Sequence, residues 1–190
     1  MTGMLDLFDA PMLPSLTATS DFVTEAEEQA LIAAIDAADL APFRFHGWTG
    51  KRRTASYGWS YDFDAGCLRR GNSLPSWLLP FRGHAADFAG LSPDGLVQAL
   101  LIRYDPGAGI GWHKDRADFE HVIGLSLGAP ATMRFRRRRG ESFERATIPL
   151  EPRGAYHLRG EARHVWEHSI TELDQTRWSV TFRSMRDRAV

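Results

Sequence analysis

The sequence has only one cysteine, Cys67, which excludes an internal disulfide and fits a reducing compartment. Its residue type favours a small packed side chain over a nucleophile. No uninterrupted apolar run is long enough to span a bilayer, so no membrane role is expected. The N-terminus lacks a basic region ahead of its apolar residues, which argues against a secretory signal and for a cytoplasmic protein. Charge of one sign is also missing. With 23 Lys and Arg against 24 Asp and Glu, the net charge is −1. The chain as a whole therefore exerts no strong pull on nucleic acid or membrane, and any such attraction must come from local patches. Internal repeats and low-complexity segments are absent.

What is present suits one domain with a substantial core. Of the 190 residues 43% are hydrophobic, including eleven Phe and six Trp. Residues 1–20 carry Pro11, Pro14 and Ser15 with little periodicity and read as an extended arm ahead of a domain at 21–190. Thr24 with Glu27 three residues later forms a capping-box signature for a helix to about Ala38. Residues 43–64 read as short strands and loops. Pro75 suits the first turn of a second helix bearing Trp77, Leu78, Phe81, Ala85 and Phe88 at helical spacing. From residue 96 to about 185, β-like runs alternate with Gly/Pro turns: Leu96–Tyr104, Val122–Leu127, Ala131–Arg136, Ala146–Leu150, Ala155–Leu158, His164–Ile170 and Arg177–Arg183. The expected class is α+β, a β-sandwich or barrel with two N-terminal helices buttressing one sheet.

Two features carry chemistry. If His113-Lys114-Asp115 lies in a strand, residues 113 and 115 point the same way and can share one ion. An H-x-D pair alone is weak, but it follows the Gly-rich run 106–111, read as flexible, and a third candidate, His168, lies on a later strand. Two His and one carboxylate hold one face of a metal and leave positions open, as in non-haem Fe(II) oxygenases; zinc also accepts such ligands. Near the C-terminus, Arg177, Ser179, Thr181 and Arg183 share one strand face while Trp178, Val180 and Phe182 share the other. Arginines on a face that lines something wet need partners, and a dicarboxylic acid would suit a guanidinium. An edge strand with two solvated arginines is the plainer alternative.

Arg103-Tyr104-Asp105-Pro106-Gly107, His113-Lys114-Asp115, Ser126-Leu127-Gly128, Arg163 with Trp166-Glu167-His168-Ser169-Ile170, and Arg177 with Thr181-Phe182-Arg183 together resemble the AlkB family of 2-oxoglutarate- and Fe(II)-dependent dioxygenases. Arg52-Arg53-Thr54-Ala55-Ser56-Tyr57-Gly58 is similar to that family's substrate-recognition lid, placed here at about 43–64. The resemblance implies a double-stranded β-helix, a jelly-roll core, with Fe(II) held by His113, Asp115 and His168. It implies 2-oxoglutarate chelating the iron, its distal carboxylate on Arg177 and Tyr104, and Arg183 near the inner carboxylate and Asp115. O2 would take the remaining position. A substrate C–H bond would be hydroxylated with release of succinate and CO2, and an N-methyl substrate would lose formaldehyde. Three positions depart from the DNA-repair members: Ile102 and Ser179 stand where Asn is frequent, and Ala117 where an Asp contacts the base. They spare the iron chemistry and leave the alkylated base open.

For the substrate, Arg134-Phe135-Arg136-Arg137-Arg138-Arg139 is a basic block in a near-neutral chain. With Lys51, Arg52 and Arg53 it could flank alkylated DNA or RNA, while Tyr57, Trp59 and Trp48 could stack a flipped base. The alternative is a solvated hairpin end balanced by Glu141 and Glu144. Met4-Leu5-Asp6-Leu7-Phe8 is similar to a sliding-clamp-binding peptide, against an arm packing on its own domain. The expected protein is a monomer that dealkylates nucleic-acid bases. The same chemistry on a protein or small molecule, or a non-catalytic jelly-roll metal module, are the alternatives.

Overall fold

The computed structural model describes residues 13–45, 48–62 and 66–186. The clamp-like residues 4–8, His46 and the side chain of Trp48 lie outside them. In chain order the elements are β1 (Leu16–Thr19), α1 (Glu25–Ala37), β2 (Ala41–Phe45), β3 (Trp48–Asp62), β4 (Cys67–Arg70), α2 (Leu79–Ala89), β5 (Leu96–Tyr104), β6 (Ile110–His113), β7 (Phe119–Gly128), β8 (Ala131–Arg139), β9 (Ser142–Leu150), β10 (Ala155–Leu158), α3 (Gly160–His164), β11 (Glu167–Ile170) and β12 (Arg177–Met185).

Local rules start both long helices. Thr24 caps α1: its hydroxyl accepts from the Glu27 amide at 3.2 Å, and Glu27 accepts from the Thr24 amide at 2.8 Å. A 3-10 turn, Ser76–Leu78, precedes α2, and Gly90 ends α2 at φ 67°, a left-handed value that glycine takes without strain.

The strands form two sheets. The larger runs β1-β10-β7-β12-β5-β3-β2, with β4 hydrogen-bonded to β3; the smaller runs β6-β11-β8-β9. Alternation then sorts the side chains. Ala99, Leu101, Ile123, Leu125, Leu127, Val180 and Phe182 leave the large sheet on one side and pack with Leu31 and Ile35 of α1 and Ala85 and Ala86 of α2. The opposite face looks at the small sheet. There Val122 and Leu158 meet Met133, Phe135, Ile148, Leu150, Trp166 and Ile170, closing one end of the space between the sheets. The two-sheet architecture is the jelly roll expected, and the helices buttress its larger sheet.

Several expectations change. The segment expected as short strands and loops contains one long strand, β3, fifteen residues from Trp48 to Asp62, which joins the large sheet beside β5. β12 is not an edge: it pairs with β5 on one side and β7 on the other. Residues 160–164 are helical, so the strand after them starts only at Glu167. The Gly-rich run ends in a strand, β6, and its start is tied down by Gly107 N–H to Leu173 C=O at 2.7 Å and Leu173 N–H to Ala108 C=O at 3.1 Å. Gly109 permits this closeness, because a Cβ there would lie 2.8 Å from the Ile170 carbonyl oxygen. Cys67 is exposed rather than packed, because β4 pairs only with β3 at a margin of the sheet. Leu16–Thr19, within the extended arm, pairs with β10.

Candidate active site

His113 and His168 come together by strand pairing: they are register partners across β6 and β11, with ring centroids 4.3 Å apart. Asp115 arrives differently. β6 ends at His113, so the two-residue alternation expected of His113 and Asp115 does not extend to Asp115, which lies in the following loop. Arg163 holds that loop: its Nη2 donates to the carbonyls of Arg116 and of Phe119, the latter at 2.8 Å. Asp115 Oδ2 ends 3.7 Å from His168 Nε2.

The protonation states suit a cation. His113 Nδ1 donates to the Gly111 carbonyl at 2.8 Å, so Nε2 is the ring nitrogen left to face a metal. Burial, reinforced by His113, pushes the His168 imidazole down to about 3, so it is neutral. Burial alone would raise the Asp115 carboxyl, but Arg183, His168, His113 and Arg163 overcome it and hold the carboxyl far below the usual range. Two imidazoles and one carboxylate are a fitting donor set for a divalent metal with open positions. Among the described residues, no three His, Cys, Asp or Glu side chains close on their own into a cation cage, so these three converge loosely.

The large sheet supplies the opposite wall. Arg183 donates to Asp115 Oδ1 at 2.8 Å and to Gln98 Oε1 at 3.0 Å, so one guanidinium joins the sheets. Arg177, only 1% exposed, donates from Nη2 to Ser126 Oγ at 3.1 Å, and its Cζ lies 5.3 Å from the Tyr104 ring centroid. Among the described residues, its Nε and Nη1 are buried with no hydrogen-bond partner. A buried guanidinium with unused donors is costly unless an anion meets it, so the residues fit a bound carboxylate. His113 and His168, on the small sheet, and Asp115, in the loop after β6, face this wall across the interior.

Three residues to which the sequence assigns no role in the site belong to this interior. Gln98 is a polar residue in a strand and carries no periodic signal, and Arg163, though part of the family-like motif, reveals its hold on the Asp115 loop only in the fold. Tyr156 lies across Gly124, where a Cβ would come within 2.4 Å of its hydroxyl oxygen. Burial pushes the Tyr156 hydroxyl up to about 12, with Arg177 opposing and Asp115 assisting, so it stays protonated. Two departures from the family pattern, Ile102 and Ser179, are register partners on β5 and β12 and form one patch on this wall.

The expected substrate residues do not share a place. Arg52 stacks on Phe43 at 3.8 Å from its centroid and lies on the face of β3 opposite Tyr57, and burial lowers its pKa while Tyr104 acts against that. Arg53 pairs with Asp105 at 3.2 Å, and Tyr57 packs into the helix-facing core. Trp59 borders a separate cavity of about 290 Å³ with Arg70, Leu74 and Arg82. Another cavity, of about 210 Å³, reaches Ser126 and Tyr156 from beside β1 and does not touch the two histidines or Asp115.

A jelly roll that gathers two histidines and a carboxylate opposite a buried arginine with free donors has the build of a 2-oxoglutarate-dependent oxygenase. Residues 42–186 match the 2OG-Fe(II) oxygenase superfamily, and the chain belongs to it. Its cofactor set is Fe(II), 2-oxoglutarate and O2. It is AlkB-like within that superfamily. The chain is 31% identical over 211 residues to an Arabidopsis thaliana protein named Alkylated DNA repair protein ALKBH8 homolog, covering 96% of this chain and 59% of that one. It is 25% identical to the tRNA (carboxymethyluridine(34)-5-O)-methyltransferase ALKBH8 of Mus musculus, covering 83% of this chain and 24% of that protein. The chain thus spans about three fifths of the plant relative and a quarter of the animal one. In fold it resembles the structure of OsALKBH1 at a TM-score of 0.73 and 15% identity, over 91% of this chain and 98% of that one. It also resembles a prolyl-4-hydroxylase from Pseudomonas putida at a TM-score of 0.62 and 13% identity, over 90% and 93%.

Proposed function

We propose that this chain is a 2-oxoglutarate-dependent dioxygenase that oxidatively dealkylates nucleic-acid bases. The observation that carries the reaction type is the unpartnered, buried Nε and Nη1 of Arg177 on the wall facing His113, Asp115 and His168. In this reading His113, Asp115 and His168 hold Fe(II), and Arg177 with Tyr104 takes the distal carboxylate of 2-oxoglutarate. Bound iron with 2-oxoglutarate and O2 supplies the oxidation of a substrate C–H bond, with succinate and CO2 as coproducts.

The chain's own residues do the rest. Arg183 fixes the orientation of Asp115 and keeps it ionised. Ser126 fixes the angle of Arg177. Trp166, Phe135 and Ile170 close one end of the interior against water. An N-methyl carbon, once hydroxylated, leaves as formaldehyde and frees the nitrogen.

The nucleic-acid substrate rests on relatives whose names refer to alkylated DNA and to tRNA. The test is formaldehyde release over methylated single- and double-stranded DNA, methylated RNA and methylated peptides. Release from an oligonucleotide supports this reading. Release from peptides alone moves the same chemistry to a protein substrate.

A further inference from the structure

The back of the small sheet carries a feature that the interior does not use. On β8, Met133 and Phe135 point inward, so Arg134, Arg136 and Arg138 share the outward face. Arg145 on β9 joins them as the register partner of Arg136, and Phe143 is the partner of Arg138. Two arginines placed directly opposite repel each other, and a sheet keeps such a pair only where something offsets it. Arg136 is offset by Glu167 at 2.6 Å. Among the described residues, Arg134 hydrogen-bonds only the Ser169 hydroxyl, at 3.1 Å, and Arg138 only the Gly140 carbonyl, at 3.2 Å. Arg145 has a ring contact with Phe143 and, among the described residues, no carboxylate partner. Among the described residues, these four guanidiniums thus share one carboxylate. By contrast, Arg137 and Arg139 both pair with Glu144, and Arg137 also with Glu161, so they are already neutralised.

Aromatic rings interleave with these cations. Arg134 and Arg136 lie 5.1 and 4.5 Å from the Trp112 ring, and Arg136, Arg138 and Arg145 lie 4.7, 5.7 and 5.7 Å from Phe143. Alternate residues of a strand repeat about every 6.8 Å, a period of the same order as phosphates along an extended single strand. A cationic row lined with rings is the recognition chemistry of single-stranded nucleic acid. An acidic peptide would use the charges and leave the rings without a purpose. Position adds to this. Trp112 lies on β6, the edge strand of this sheet, and the next residue, His113, faces the interior. A polymer crossing that edge passes from the arginine face to the metal-binding side within about one strand width, ~4.8 Å.

We infer that Arg134, Arg136, Arg138 and Arg145, with Trp112 and Phe143, form a docking face for the phosphate backbone of single-stranded nucleic acid, separate from the lid residues. This rests on the nucleic-acid reading above and names where the polymer is held outside the interior. The experiment is fluorescence anisotropy of a labelled oligouridylate against salt, for the full chain and its R138E/R145E and R138Q/R145Q variants, with circular dichroism to confirm folding. The wild type is expected to bind. R138E/R145E is expected to bind at least tenfold more weakly, with its log–log salt slope shallower by about 1.4, ~0.7 for each of two lost phosphate contacts. The glutamine pair is expected to fall between. Equal affinity and slope in folded variants overturn the docking face alone. Displacement by polyglutamate as effective as by unlabelled oligouridylate overturns it in favour of an acidic protein partner. A wild type that binds no oligonucleotide removes the nucleic-acid reading and this face with it.

Discussion

Arg183 Nη2 lies 2.8 Å from Asp115 Oδ1, and this bond ties β12 of the large sheet to the loop after β6 of the small one. Both side chains are about 10% exposed. Removing one partner of such a pair strands a charge, which costs about 3 kcal/mol or more. Arg183→Met is therefore expected to lower the stability of the metal-free protein by about that amount in urea denaturation. The D115N/R183M double variant should recover part of the loss, because its remaining partner carries no charge.

Arg177 presents two unused donors, so its truncation should be felt by the cosubstrate and not by the metal. A charge-assisted contact contributes roughly 1.5–3 kcal/mol, so Arg177→Ala should weaken 2-oxoglutarate binding by tenfold or more. Calorimetry with Mn(II)-loaded protein measures this, and metal affinity in the same variant should match the wild type. Unchanged 2-oxoglutarate affinity assigns the guanidinium another task.

Gly124 is the place where Tyr156 crosses the sheet. A Cβ there would lie 2.2 Å from Tyr156 Cζ, so Gly124→Ala must displace the ring. Overpacking of this kind costs about 1–3 kcal/mol. Thermal unfolding should show that loss, and pairing it with Tyr156→Leu should return most of it. If the two losses simply add, the ring does not lie over Gly124.

His121 Nδ1 and His157 Nε2 are 2.8 Å apart, so one proton serves both rings. Burial, then His121 and Arg159, pushes His157 down to about 4, and burial lowers His121 as well, against the pull of Glu120. Between about pH 6.5 and 4 the unfolded chain, whose histidines titrate near 6.5, binds more protons than the folded one. Stability from this pair is thus complete above pH 6.5 and is lost as pH falls toward 4. Denaturation midpoints across that window should fall more steeply for the wild type than for H121Q/H157Q.

Much of this was legible in the sequence, for physical reasons that differ by element. The Thr24–Glu27 capping box is local, and it starts α1 as written. The runs at 96–104 and 155–158 match β5 and β10 residue for residue, because turn residues bracket them on both sides. The alternation from Arg177 to Arg183 correctly divides β12 into two faces, yet it says nothing about neighbours. A central strand between β5 and β7 and an edge strand share that pattern. The pairing of His113 with His168 is a register between segments more than fifty residues apart, and only ordered family motifs hinted at it. Asp115 was placed in the site for a reason that fails, since the loop anchored by Arg163, not strand alternation, brings it there. Residues 52 and 57 differ in parity, so a single strand puts them on opposite faces, but the sequence does not say which face meets the helices.

The central claim is that His113, Asp115 and His168 hold one Fe(II) that oxidises a nucleic-acid base. The direct measurement is succinate and formaldehyde produced from an N-methylated oligonucleotide by the wild type and by His113→Ala, Asp115→Ala and His168→Ala, each checked for folding. Equal amounts of the two products from the wild type and neither from the folded variants are expected. Turnover that persists in all three variants would contradict the account.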